Sequence, residues 1–325
     1  MKPANSAGDS EIGYNPPLAR DDNSSRTRRC VDGIVLLDKP VGLSSNRALQ
    51  TVKRLFRARK AGHTGSLDPL ASGLLPICLG QATKLSTWLL DTDKRYRVGA
   101  RFGARTDTGD ADGEIVETAP CDHVDAASIE KALAAFCGPL RQVPPMYSAL
   151  KVKGRPLYEL ARAGQVIERE PRPIHIYRLE LEQYADGLVT LDVACSKGTY
   201  IRTLVEDIAQ AMGTVAHVVA LRRLEAGPYR AEQMMPLEKL EALAGHGEAA
   251  LDEVLLRPDS ALQDWPAVHV GADGAHRLMQ GRALRVDADR AGLVRLYDER
   301  RFLGIGELSP GGRLAPRRLF TGAAG

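Results

Sequence analysis

The sequence reads as a protein that interleaves strands and helices and ends in a small β-rich domain. Three patterns carry that reading. Gly33-Ile34-Val35-Leu36-Leu37-Asp38 is a short apolar run of the kind that forms a buried strand. Residues 94–103 alternate, with Tyr96, Val98, Ala100 and Phe102 on one face and Arg95, Arg97 and Arg101 on the other, as in a half-buried strand. Beyond Pro258, short apolar runs at 267–270, 293–297 and 302–308 are punctuated by Gly, Asp and Pro, the texture of a β-rich tail.

Taken in order, residues 1–32 are expected to be a disordered leader. They are rich in Ser, Asn, Asp, Pro and Arg, lack apolar periodicity, and their five basic and five acidic residues cancel. After the first strand, Pro40 and Gly42 make a turn, and Ser44, Ser45 and Asn46 offer N-caps. The helix that follows places Ala48, Leu49, Val52, Leu55 and Phe56 on one face. Its other face carries Arg47, Lys53, Arg54 and Arg57, with Arg59 and Lys60 beyond. Gly33 to Gly62 holds seven basic residues and one acidic residue, a local charge of +6 that suits an anion-facing surface. Residues 62–73 are a loop by composition. A helix over 126–136 closed by Gly138, a strand at 189–194, and a helix carrying Ile201, Leu204, Val205, Ile208 and Met212 and ended by Gly213 come next. Residues 231–255, rich in Ala, Leu and Glu, read as helical.

Composition narrows the function class. A chain of 325 residues is long enough for about two domains. The whole-chain charge of +3 excludes a polybasic tail protein. Five cysteines, an odd number with no Cys-x-x-Cys spacing, suggest neither a zinc site nor a disulfide framework, and reduced thiols inside the cell are expected. No apolar run approaches the roughly 20 residues of a membrane span, and the N-terminus lacks the apolar stretch of a signal peptide. A cytoplasmic protein is expected. The Walker, nucleophile-elbow and H-E-x-x-H motifs are absent. Thr108–Gly113 imitates a calcium loop, but its twelfth place is Ala119 rather than the closing Glu.

Asp68 stands apart. It sits between Leu67 and Pro69, five residues after His63, with Leu70, Leu74 and Leu75 close in sequence. A carboxylate in apolar company needs a partner. Two roles fit: holding the loop through backbone N–H groups, or chemistry.

The residues around Asp68 carry a resemblance. Leu37-Asp38-Lys39-Pro40-x-Gly42-x-Ser44-Ser45, Gly62-His63-Thr64-Gly65-x-Leu67-Asp68-Pro69-x-Ala71-x-Gly73-x-Leu75 and Lys94-x-Tyr96 come first. Thr106-Asp107-Thr108-x-Asp110-x-x-Gly113, Gln142-x-Pro144-Pro145-x-Tyr147-Ser148-Ala149-Leu150-Lys151 and Gly198-Thr199-Tyr200-Ile201-Arg202 follow. In this order they resemble the TruB family, the bacterial tRNA pseudouridine-55 synthases, over roughly residues 33–225. The resemblance implies an α+β fold: a pseudouridine synthase catalytic domain at 33–255 around a mixed, largely antiparallel sheet, and a PUA-like RNA-binding β-barrel at 256–325. It implies isomerisation of uridine in the T loop of tRNA, on a flipped-out base, with no cofactor, no metal and no obligatory protein partner, by a monomer.

The resemblance also assigns residues. Asp68 becomes nucleophile or base, two routes that the sequence leaves open, with Arg202 as the cation that favours its ionised form. Tyr96 stacks on the target base and takes part in proton transfer, and Tyr200 lines the pocket. Base flipping gives such stacking partners a physical task. His63 fills the space that flipped nucleotides vacate. Lys39 and Pro40 either contact the site or hold the turn beside it. Lys84 contacts phosphate or caps a helix. Lys53, Arg54 and Arg57 are the candidate phosphate surface. The rivals are a guide-RNA-dependent synthase with the same motifs, an RNA-binding module without catalysis, and an Asp–His hydrolase.

Overall fold

A computed structural model describes residues 28–288, 290–299 and 301–320. The expected leader falls outside these residues over 1–27. Residues 28–32 are described, and they are packed: Val31 is buried, and the Arg29 amide donates to the Arg57 carbonyl at 3.0 Å. The leader boundary at residue 32 is corrected accordingly, because Arg29 is also held by ion pairs to Glu248 and Asp252.

The chain forms β1 (Gly33–Lys39), α1 (Ser45–Leu55), β2 (Ala61–His63) and β3 (Ser72–Leu79), then α2 (Ser86–Leu90) and β4 (Lys94–Phe102). A hairpin of β5 (Ala104–Thr106) and β6 (Ile115–Thr118) and helix α3 (Ala126–Ala134) lead to β7 (Gly138–Gln142). A smaller hairpin, β8 (Lys151–Val152) and β9 (Arg155–Pro156), precedes α4 (Leu157–Arg162). The long β10 (Arg172–Ala185) and β11 (Leu188–Cys195) are followed by α5 (Ile201–Ala211) and β12 (Ala216–Ala226). β13 (Tyr229–Arg230), β14 (Met235–Pro236), α6 (Leu237–Gly245) and α7 (Glu248–Asp252) close this part.

The main sheet runs β14-β1-β3-β12-β4-β11-β10-β7, with β13 on β12 and β2 on β3. Only β1–β14 and β3–β12 pair parallel, so the sheet is mixed and largely antiparallel. The parallel pair at its centre puts Gly73 of β3 opposite Arg223 of β12, and Arg223 opposite Tyr96 of β4.

Burial explains the two strand patterns. In β1 and β3, Val35, Leu37, Leu75 and Ile77 face the core beneath the helices. Ile34, Leu36, Leu74 and Cys78 face the C-terminal unit. Both faces are covered, which requires a continuous apolar run. In β4, Tyr96, Val98, Ala100 and Phe102 enter the helix-side core. Its arginines lie on the open face, where Arg95 grips the buried Asp192 and Arg97 pairs with Glu182.

The C-terminal unit is a five-stranded sheet ordered β15-β17-β18-β19-β16, with β15 (Ala267–His269), β16 (Leu284–Arg285), β17 (Gly292–Tyr297), β18 (Phe302–Ser309) and β19 (Arg313–Leu319), and α8 (Ala272–Met279) packs against it. Among the described residues its edge strands do not pair with each other, so the sheet is an open half-barrel. Ile305 and the Trp88–Trp265 edge contact join it to the catalytic sheet.

Two helical expectations are adjusted. Residues 231–255 are not one helix: Pro236, which lacks an amide hydrogen, stands at the start of α6, and Gly247, at φ +108°, separates α6 from α7. The basic helix stops at Leu55, and Arg57 takes a left-handed φ of +51° just past its end.

Candidate active site

The Asp68 loop joins β2 to β3 and is fixed from three sides. Ser44 caps α1 by accepting from the Arg47 amide. That sets Ser45, whose Oγ accepts from the Leu67 amide at 2.7 Å and donates to the Leu67 carbonyl at 2.9 Å. Leu67 is buried, and the Ala71 amide closes the turn on the Asp68 carbonyl. The Gly42 amide donates to the Pro69 carbonyl. Lys39, fully buried, braces that neighbouring turn: its Nζ donates to the Pro40 and Leu43 carbonyls at 2.9 and 2.6 Å. Lys39 and Pro40 therefore hold the loop and do not line the cavity. Burial lowers the Lys39 ammonium to about 8, and the nearby Asp68 opposes the shift.

Asp68 Oδ2 lies 3.0 Å from Arg202 Nε. Arg202 stands in the first turn of α5 and is almost buried. Its remaining donors reach the Thr108 carbonyl at 2.6 Å and the Tyr147 carbonyl at 2.7 Å. Asp110 Oδ2 approaches the same Nε at 3.6 Å, and its Oδ1 accepts from Thr108 Oγ1 and the Asp112 amide. The Thr108–Gly113 turn is thus built around Arg202. Arg202 is held from every side, whereas the Asp68 side chain keeps 41% of its surface exposed. Burial raises the Asp68 carboxyl above its ordinary value. Arg202 pulls it down, Asp110 pushes it up, and Lys39 pulls it down.

Asp68 and Arg202 lie where two cavities meet. The inner one, about 390 Å³, is lined by Tyr96, Tyr200, Lys94, Cys195, Leu221 and Arg223. The outer one, about 760 Å³, includes His63, Asp107, Asp110, Tyr147 and Arg162. Tyr96 is a member of the core face of β4 and also a wall of the inner cavity, so the apolar face read from its alternation ends at the cavity. Burial raises the phenols of Tyr96 and Tyr200, which keeps both protonated at neutral pH. His63 faces the outer cavity with its Nδ1 buried and, among the described residues, unbonded. Burial and then Arg223 lower its pKa, so the ring is neutral at pH 7.

The remaining sequence candidates lie elsewhere. Lys84 donates to the Leu319 carbonyl at 2.7 Å and sits over the Phe320 ring, so it ties the C-terminal unit to the catalytic sheet. Its ammonium thus reaches a strand of the other unit. Arg57 is drawn into an ion pair with Glu248, which Arg29 shares. That pair sets an anion of α7 beside the expected phosphate surface. Arg54 is exposed and Lys53 half-buried on the solvent side of α1.

Two cavity residues had no role assigned from the sequence: Lys94, quoted there only within a motif, and Arg223. Lys94 donates to the Leu90 and Thr92 carbonyls, and burial lowers it to about 8. Arg223 is 1% exposed. Its Nε donates to the Leu74 carbonyl at 2.6 Å and its NH2 group to the Gly65 carbonyl at 3.1 Å, and it stands opposite Tyr96 in the β12–β4 ladder. Adjacent arginines in a strand read as surface residues, and only the pairing register shows that Arg223 points inward.

Among the described residues no cluster of His, Cys, Asp or Glu is arranged to hold a metal. The arrangement suits a carboxylate, paired with a guanidinium, that attacks or deprotonates a group placed against Tyr96.

Known proteins match this chain along its length. The family model described as TruB family pseudouridylate synthase (N terminal domain) matches residues 53–201. Models described as tRNA pseudouridylate synthase B C-terminal domain and Pseudouridine synthase II TruB, C-terminal match 202–263 and 266–320. The tRNA pseudouridine synthase B of Sodalis glossinidius is 55% identical over 304 residues, 91% of this chain and 97% of that protein. That of Pseudomonas putida is 54% identical, again over 91% of this chain and 97% of that protein. A chain of the "Crystal Structure of a Cbf5-Nop10-Gar1 Complex" shares 25% identity at a TM-score of 0.67, covering 86% of this chain and 79% of that one. A chain of the "Structure of H/ACA RNP bound to a substrate RNA containing 2'-deoxyuridine" shares the fold at 22% identity and a TM-score of 0.68, covering 89% and 85%. With its mixed sheet, its half-barrel and relatives of such identity over nearly the whole length, the chain belongs to the TruB family of pseudouridylate synthases and is an isomerase.

Proposed function

We propose that this chain converts uridine 55 in the T loop of tRNA to pseudouridine, with Asp68 as nucleophile or base on a flipped-out base. The observation that carries the reading is the Asp68–Arg202 pair at 3.0 Å, at the mouth of a cavity walled by Tyr96 and Tyr200. The N1–C1′ bond breaks, the uracil turns, and C5 bonds to C1′. Atoms and electrons balance within the nucleoside, so the reaction needs no cofactor. The uracil occupies the inner cavity against Tyr96, and His63 stands where neighbouring nucleotides leave the stack. The names of the relatives support tRNA as the substrate.

Residues 33–255 perform catalysis, and 256–325 act as a PUA-like RNA-binding unit. Lys53 and Arg54 meet the phosphate backbone, and Lys84 acts by fixing the C-terminal unit. The protein works in the cytoplasm as a monomer without a protein partner. Among the described residues no helix is long and apolar enough to cross a membrane. The test is position mapping: the purified chain alone, given an isolated T stem-loop, produces a carbodiimide-dependent primer-extension stop at position 55. A stop elsewhere overturns the position. No stop until guide RNA or protein partners are added favours the guide-dependent rival.

A further inference from the structure

Arg223 is a buried cation with neutral partners. Its guanidinium meets the Leu74 and Gly65 carbonyls, it lines the inner cavity with Tyr96, its register partner, and among the described residues no carboxylate lies within ion-pair distance of it. A buried charge without a counter-charge is costly. Backbone geometry holds it there. Gly73, directly across the parallel ladder, has φ +98°, and a Cβ at that position would lie 2.3 Å from the Arg223 carbonyl oxygen. The chain thus keeps β3 bare so that β12 can deliver Arg223 beside Tyr96.

The reaction supplies the missing anion. Whether Asp68 bonds to C1′ and is later displaced by C5, or takes the 2′ proton and later returns it to C2′, heterolysis of N1–C1′ leaves the bonding pair on the uracil, spread over N1, O2, O4 and C5. Bonding of C5 to C1′ returns that pair. The C5 proton then leaves and N1 gains one, so the isomer keeps every atom and electron. We propose that Arg223 is a positioning residue for this anion: opposite Tyr96 in the β12–β4 ladder and beside it in the inner cavity, it sets the phenol's place and polarity, and by holding the Gly65 carbonyl it fixes the Asp68 loop against the same base. This rests on the reaction proposed above. Its positive charge also favours ionisation of Tyr96 against the effect of burial, which strengthens the phenol as a donor.

The test is single-turnover tritium release from tRNA labelled at uridine C5, using the full chain. Wild type must release label; if it does not, the proposed reaction fails rather than the role of Arg223. Arg223→Met is expected to slow release about 10²-fold, the scale of losing one preorganised donor, with RNA affinity within about threefold. Arg223→Lys keeps the buried charge and guards against loss of fold. It is expected to slow release about tenfold, because one ammonium cannot hold the Gly65 carbonyl and also keep its charge beside Tyr96. In a Tyr96→Phe background, Arg223→Lys is expected to cost less than about twofold more, because partners acting as a unit are non-additive. A wild-type rate in Arg223→Lys, fully multiplicative losses in the double variant, or a fall in RNA affinity equal to the fall in rate would each overturn the proposal.

Discussion

Two regions of this molecule are rich in arginine, and they use the residue differently. At the cavity, Arg202 and Arg223 are almost wholly buried and donate to backbone carbonyls, and Arg202 also pairs with the side chain of Asp68. Past the end of α1, Arg57 and Arg29 lie near the surface and pair with Glu248 and Asp252 of α7. The sequence shows charge density only at the second region. The chemistry collects at the first, because burial turns each charge into a strong, directional interaction, while solvent screens surface pairs to about 1 kcal/mol or less.

The largest effect belongs to Asp68. Asp68→Asn keeps the shape of the loop but removes the carboxylate, and tritium release from C5-labelled tRNA is expected to fall by on the order of 10⁵-fold, the scale of losing an essential nucleophile. RNA affinity, measured by filter binding, stays near wild type. Residual release within tenfold of wild type would move the chemistry to another group. Gly73→Ala attacks the same region through the backbone. Its Cβ meets the Arg223 carbonyl at 2.3 Å in a left-handed conformation, so a loss of about 3 kcal/mol in urea unfolding is expected. A loss below about 1 kcal/mol would show that the β3–β12 contact yields readily.

At the α1 end the expected changes are smaller. Replacing Lys53 and Arg54 by alanine reduces the slope of log affinity against log salt by about 1–2, with the chemical step unchanged. An unchanged slope would place the RNA backbone elsewhere. Arg57→Ala is the smallest: about 1 kcal/mol or less of stability, because its ion pair is part-exposed, and no change in salt slope, because Glu248 already holds the guanidinium. A slope that drops by a full unit would show that the pair opens to phosphate.

This contrast also separates what the sequence made legible. Alternation over 94–103 gave β4, and the apolar run at 33–38 gave β1, because local period records how many faces are covered. The Asp68 loop was legible from its motif, since its glycines and leucines are close in sequence. Arg223 was not. Arg222 and Arg223 are neighbours on β12, yet Arg222 forks onto Asp38 while Arg223 turns inward, and only the register with Gly73 and Tyr96 decides which is which. The parallel pairing of β1 with β14 was equally hidden, because its partners stand nearly 200 residues apart in sequence and leave no local period. The ion pairs of Arg57 and Arg29 to α7 were hidden for the same reason.

The central claim is that a desolvated Asp68 carboxylate, held ionised by Arg202, performs the chemistry. Its most direct test is the pH dependence of single-turnover tritium release for wild type and Arg202→Gln. Burial raises the Asp68 pKa and Arg202 lowers it. The active form is the carboxylate, so the rate falls on the acid side as Asp68 takes a proton. Removing Arg202 takes away the stronger of the two cations that oppose burial and leaves Lys39 alone against it. The acid limb is therefore expected to move to higher pH, with part of the rate recovered as pH rises. An acid limb that stays at its wild-type position, or a loss of rate equal at every pH, would contradict the account.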